Sequence, residues 1–257
     1  MEGPVQSFDL AFDEICSALP GILGHAATEE QAVNAPFSPL KPNQSQILHD
    51  VELEITTLRQ RCRNGLALIL QELRTRQDAA TKERTHQLEE DLSKAFDSVH
   101  SSPIFTQVVL NVVSGQTWRE AFRLPRDIID LLYSGAKTMF EDGRFTEAMD
   151  CFAFLAWFDA RQYDFWMALG HTQFHTAQYN AAISSYGIAL QCLPDESWPD
   201  IYAAACFEAI GDLEQASRCI TTALTREKMK AEPDQGLVRA LEEKIDKYRQ
   251  RSATPIS

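Results

Sequence analysis

The sequence predicts an all-α protein: three stacked helix pairs forming a superhelix, a C-terminal capping helix, and an N-terminal helical extension. Three observations predict it. A 34-residue period runs through the C-terminal half, with Ala148, Ala182 and Ala216 in one register and Phe145, Tyr179 and Leu213 in another. Elsewhere apolar residues recur every three or four positions, the period of a helix face. Gly and Pro number 11 each in 257 residues, and no stretch shows closely spaced alternating strands.

Composition bounds the function. An apolar share of 44% supports a real core. The net charge of −13 divides as −5 over residues 1–45, −2 over 46–100 and −6 over 101–257. With no strongly basic segment, neither nucleic acid nor an anionic membrane is expected as a partner. No run of about 18 apolar residues would cross a bilayer, and no direct membrane insertion is expected. No basic segment leads into an apolar one at the N-terminus, so no secretory signal is expected. Cys16, Cys62, Cys151, Cys192, Cys206 and Cys219 are scattered with no C-x-x-C pair, which reads as reduced, mostly buried thiols of a cytosolic protein.

The elements follow in order. Residues 4–19 place Val5, Phe8, Phe12, Ile15 and Leu19 on one helical face, stopped by Pro20-Gly21. Pro36, Pro39 and Pro42 mark residues 20–45 as a linker. Over residues 46–75, Leu48, Val51, Ile55, Leu58, Cys62, Leu66, Ile69 and Leu73 form a seam near heptad spacing. Residues 80–100 give a second helix with Leu88, Leu92, Phe96 and Val99 inward. This extension reads either as a hairpin packed on itself or on the next domain, or as a dimerising coiled coil. Residues 103–113 predict a further helix ended by Ser114-Gly115, and Pro125 starts the next near its first turn. The chain thus divides into residues 1–45 (helix and linker), 46–100 (helical hairpin), 103–250 (repeat domain) and 251–257 (disordered tail).

The repeat carries the function. Trp166, Leu169, Gly170, Tyr179, Ala182, Tyr186, Ala189 and Pro194 match the tetratricopeptide (TPR) pattern, with Tyr186 in the Phe slot and Gln173 where Tyr is usual. Small residues (Ala136, Gly170 and Ala204; Ala148, Ala182 and Ala216) let the two helices of a pair, A and B, approach closely. Large ones (Phe152, Tyr186 and Ile220) fill the space between B and the next A. Asp142-Gly143 and Gly211-Asp212 mark tight A–B turns. Residues 234–250 suit a capping helix with a polar outer face. By register, the A helices line the concave face with Tyr133, Lys137 and Phe140, then Met167, His171, Phe174 and His175, then Trp198, Ile201, Ala205 and Glu208. So many aromatics on an inner face predict a groove for an extended peptide.

Ser114-Gly115-Gln116-Thr117, Leu132-Tyr133, Gly143 to Ala148, Phe152 to Asp159, Trp166 to Gly170, Ala203 to Cys206 and Gly211-Asp212-Leu213 together resemble the class II chaperones of bacterial type III secretion. The resemblance covers residues 104–230 and is more specific than the repeat alone, because Ser-Gly-x-Thr and the Phe152–Asp159 link lie outside the generic motif. It implies a chaperone of the bacterial cytoplasm that holds secreted translocator (pore-forming) proteins in its groove, soluble and export-competent. It also implies a homodimer through N-terminal helices. Members carry a short N-terminal arm, whereas residues 1–100 here precede the matching region.

Other readings are a TPR adaptor, or a needle-subunit chaperone or structural component of the same system. An adaptor gripping a terminal carboxylate needs a Lys, Asn and Arg clamp, and among the groove positions only Lys137 is basic. An enzyme is not expected: no phosphate-binding glycine loop and no G-x-S-x-G occur. His171 and His175 stand four apart, a spacing that can hold zinc, but the Glu of H-E-x-x-H is absent and no third ligand is evident. No metal and no cofactor are expected. Residues 36–42 have the extended proline character of a segment that could plug the groove.

Overall fold

The computed structural model describes residues 3–15, 44–98 and 102–253, with side chains outside 44–55, 102–106, 113 and 251–253. Leu19, the 20–45 linker with its proposed plug, Val99 and residues 254–257 lie outside the described residues, as do the side chains of Leu48, Val51 and Ile55. All regular structure among the described residues is helical. The helices are α1 (residues 4–15), α2 (Gln44–Thr75), α3 (Ala79–Asp97), α4 (Ser102–Val113), α5 (Trp118–Ala121), α6 (Arg126–Glu141), α7 (Phe145–Phe158), α8 (Tyr163–His175), α9 (Tyr179–Cys192), α10 (Trp198–Ala209), α11 (Leu213–Met229) and α12 (Gln235–Ala253). The three TPR pairs are α6/α7, α8/α9 and α10/α11, with α12 as the cap. Two compact units emerge: Met1–Thr138 with Ala153–Asp159, and Met139–Phe152 with Ala160–Ser257.

In the first unit α2 and α3 form a hairpin. Cys62, Leu66, Ile69, Leu70 and Leu73 of α2 and Leu88, Leu92 and Phe96 of α3 are buried. Asp78 accepts from Thr81 N at 2.7 Å and caps α3. The seam residues from Cys62 to Leu73 are buried within the chain itself. Part of their partner is α6, where a Cβ on Gly135 would stand 3.1 Å from Ile69 Cγ2. Arg76 fastens the same junction, donating to Ser134 O (2.9 Å) and Thr138 Oγ1 (3.1 Å).

The Ser114–Thr117 motif has a local physical cause. Gly115 takes φ +96°. Its N–H bonds Val112 O and the next N–H bonds Asn111 O, a Schellman ending of α4. Thr117 then caps α5 in a reciprocal capping box with Glu120. This one-turn helix is absent from the sequence-based prediction, being too short for periodicity to show. It delivers Arg119, whose Nε donates to Asp159 at 2.7 Å and whose Nη1 donates to Leu124 O at 3.2 Å. Asp159 is 1% exposed, so the Asp that ends the Phe152–Asp159 stretch is a structural anchor.

In the second unit each A–B turn repeats one geometry. Gly143, Ala177 and Gly211 take φ of +75°, +58° and +86°. Each closes a Schellman pair, as in Ala177 N to Phe174 O and Gln178 N to Gln173 O. Ala148, Ala182 and Ala216 are completely buried. Gly170 passes so close to the buried Tyr186 ring that an added Cβ would stand 2.5 Å from Cε1. Ala204, Ala216, Ile220 and Ala223 join Leu241, Ile245 and Tyr248 of α12 in one cluster, while the outer residues of α12 face water. The turn before α12 is pinned by buried Glu227, which accepts from Ser197 Oγ (2.7 Å), Asp234 N (3.0 Å) and Lys230 Nζ (3.0 Å). Burial opposes its charge, but these donors hold its carboxyl below the usual range.

Three results are expected from thermal and urea unfolding. Ala177→Gly stabilises the chain by about 0.5–1 kcal/mol, because an L side chain in the left-handed region is strained, whereas Gly170→Ala destabilises it by roughly 1–3 kcal/mol through overpacking against Tyr186. Asp159→Ala destabilises it by about 3 kcal/mol, since it strips a largely buried Arg119 of its nearer counter-charge and leaves only Glu120 at 3.6 Å.

Candidate functional site

The A helices place side chains three or four residues apart on one face. Tyr133 and Lys137 stand on α6 in the first unit, Tyr133 half-buried and Lys137 exposed. The other predicted residues belong to the second unit, which presents a run of aromatic contacts. His175 is exposed and stacks on Phe145 with centroids 4.2 Å apart and planes at 6°. Phe140 meets Phe145 edge-on at 5.3 Å and His175 at 5.7 Å. Phe174 is half-buried and meets Tyr179 edge-on at 5.5 Å.

A second run lies one turn away. His171 Nδ1 and Tyr186 Oη are 3.0 Å apart, at hydrogen-bond distance. The His171 ring stands edge-on to Tyr202 at 4.3 Å, and Trp198, 43% exposed, stacks on Tyr202 at 6.0 Å. Tyr202 was not among the predicted residues, yet it joins His171, Tyr186 and Trp198. Its position four residues after Trp198 was the available signal.

Two predicted residues play other parts. Met167, 7% exposed, belongs to the core with Ala182, Tyr186, Ala189, Ala203 and Cys206. An unbranched thioether fills the irregular gap there instead of standing open on the face. Glu208 is already engaged: Tyr248 Oη donates to it at 2.6 Å and Lys244 Nζ at 3.1 Å, both from α12. Ile201 is half-buried against the α10–α12 cluster, and Ala205 is also half-buried. The α12 end of the second unit is accordingly polar, with a hollow of about 290 Å³ lined by Glu208, Glu243, Lys244, Lys247 and Tyr248.

Burial, and then the neighbouring His175, hold the His171 imidazole below the ordinary histidine range. Burial likewise raises the Tyr186 phenol, which stays protonated. His171, Phe174 and Trp198 therefore offer uncharged, partly accessible ring surface at neutral pH, backed by the buried Tyr186 and suited to apolar side chains. Among the described residues no three His, Cys, Asp or Glu side chains converge to hold a metal ion. No described helix is long and apolar enough to cross a membrane.

No family model matches the sequence. The chain is 27% identical over 108 residues to the chaperone protein SicA of Salmonella dublin, covering 42% of this chain and 66% of that protein. SicA of Salmonella typhi and of Salmonella typhimurium give the same figures. The match spans just under two thirds of the length of these curated relatives. Among solved structures, a T3SS complex from Aeromonas hydrophila superimposes with a TM-score of 0.53 at 21% identity, covering 58% of this chain and 98% of that one. The fold is all-α and TPR-like. The resemblance to secretion chaperones read from the sequence is borne out by these matches.

A pH dependence follows from His171. Its contribution to stability is complete above the unfolded histidine value of about 6.5 and declines as pH falls from there toward its lower folded value. Chemical denaturation from pH 7.5 to 5 should show this decline, and His171→Phe should flatten it.

Proposed function

We propose that this chain is a cytoplasmic chaperone of a bacterial type III secretion system that binds translocator proteins before export. The observation that carries the reading is the uncharged aromatic surface of α8 and α10, built on a TPR scaffold related in sequence to the SicA chaperones. Translocators insert into membranes, so in water they carry apolar segments that would otherwise associate. An extended cargo segment laid along these A helices would exchange that exposure for contact with Phe174, His171, Trp198 and Tyr202. Phe140, His175 and Ile201 would add to the same face. Burying one large apolar side chain contributes roughly 1.5–3 kcal/mol, so two or three anchors suffice for a reversible complex. Release is needed for export, and a groove without covalent chemistry allows it. A homodimer would use parts of the N-terminal extension other than Cys62–Leu73, which is engaged within the chain.

The test is co-expression with translocator proteins of type III secretion, followed by titration of the captured cargo segment. Phe174→Ala combined with Trp198→Ala should weaken binding at least ten-fold, or about 1.4 kcal/mol, with helicity unchanged. Undiminished affinity in the folded variant would refute the groove.

A further inference from the structure

Helix α1 carries a short internal repeat that groove binding does not use. Phe8-Asp9 and Phe12-Asp13 place the same two residue types four positions apart, the sequence Phe-Asp-x-x-Phe-Asp. Both rings point inward. Phe8 is 1% exposed and meets Phe96, Phe154 and Trp157 edge-on at 5.5, 5.9 and 5.6 Å. Phe12 is 3% exposed and lies 5.4 Å from Trp157. Both carboxylates point sideways onto α2, where Arg59 and Arg63 are also four residues apart. Asp9 pairs with Arg63 at 2.6 Å. Asp13 takes both terminal nitrogens of Arg59, at 2.5 and 2.8 Å. The order is crossed, 9 with 63 and 13 with 59, so the two helices run antiparallel with their four-residue steps in register.

This is how a helix-in-groove site reads its ligand: rings as anchors, flanking charges as register. The charge pairs are partly exposed and contribute more to register than to affinity. The seat is also imperfect. Ser7 Oγ and one carboxylate oxygen of Asp9 are buried without a hydrogen-bond partner, and burial raises the Asp9 carboxyl. Among the described residues, the ring contacts of α1 outside itself are with residues far along the chain, and the covalent connection to α2 runs through residues 16–43.

We infer that Phe96, Phe154 and Trp157, flanked by Arg59 and Arg63, form a second docking site, for a partner-protein helix of the pattern Phe-Asp-x-x-Phe-Asp, which α1 occupies as a tethered stand-in. The site is independent of the proposed groove. It takes a helix instead of an extended segment, and none of its residues lies on α8 or α10.

The full-length chain tests it with a fluorescent peptide of the sequence of residues 3–15. Phe8→Asp with Phe12→Asp should expel α1 and raise the affinity for the added peptide at least ten-fold over the unmodified chain. Adding Arg59→Glu and Arg63→Glu should lower that affinity about five-fold or more. A peptide with Asp9→Lys and Asp13→Lys should restore it. The proposal is overturned if expelling α1 brings no gain, or if charge reversal has no effect. It is equally overturned if the Phe8→Asp, Phe12→Asp chain loses cooperative unfolding, which makes α1 integral core. A dimer that dissociates on Phe8→Asp overturns it too, since α1 would then seat on a second copy.

Discussion

Gly170 lying against the ring of Tyr186 sets the distance between α8 and α9, and the rest of the second unit is built outward from that distance. An A helix and a B helix this close leave no room for a Cβ at residue 170 and room for little more than one elsewhere along the contact, so the positions of closest approach hold Gly or Ala. The ring that fills the gap then reaches beyond its own pair. Tyr186 stacks on Tyr202 of the next A helix at 5.7 Å and offers its hydroxyl to His171. One residue thus supplies the packing inside a repeat, the packing between repeats and the polar partner of a face residue. A Phe in the same slot would do the first two only.

The turns obey a second constraint. A helix that must reverse within two or three residues leaves carbonyls unpaired, and the Schellman arrangement satisfies them at the expense of one residue with positive φ. Gly143 and Gly211 take that conformation without strain, and Ala177 takes it under strain. Arg123, at φ +56°, does the same after α5, again with the paired bonds to Glu120 O and Arg119 O. That turn orients Arg119 toward Asp159. The Ser-Gly-x-Thr signature therefore belongs to the fold: it ends one helix, starts a one-turn helix and sets a buried ion pair. Its place in the resemblance to secretion chaperones reflects architecture, while the binding surface lies on other residues.

The candidate face was legible in outline because TPR register assigns A-helix positions arithmetically. His171, Phe174, His175 and Trp198 occupy partly accessible positions for that reason. Met167 sits in an equivalent register but is long and flexible enough to fold into the core, and register carries no information about side-chain direction beyond the helix face. Glu208 was read as open groove because nothing in its own helix says that Tyr248 and Lys244, some 40 positions onward, will donate to it. Tyr202 escaped because its neighbours come from three helices. The hairpin seam of α2 was visible as a stripe, yet a stripe looks the same whether it faces α3 and α6 or a second copy.

Periodicity, small-residue rows and turn signals in the sequence by themselves determined the helix pairs, their order and the capping helix. These are local or strictly repeating properties, so they survive translation into a linear pattern. The tertiary structure alone decided that Asp159 receives Arg119 and that α12 occupies Glu208. It alone decided that Phe8 and Phe12 of α1 settle on Phe96, Phe154 and Trp157. Each depends on residues brought together from distant parts of the chain, where the energy of an aromatic or ionic contact is set by three-dimensional distance and burial and leaves no period in the sequence.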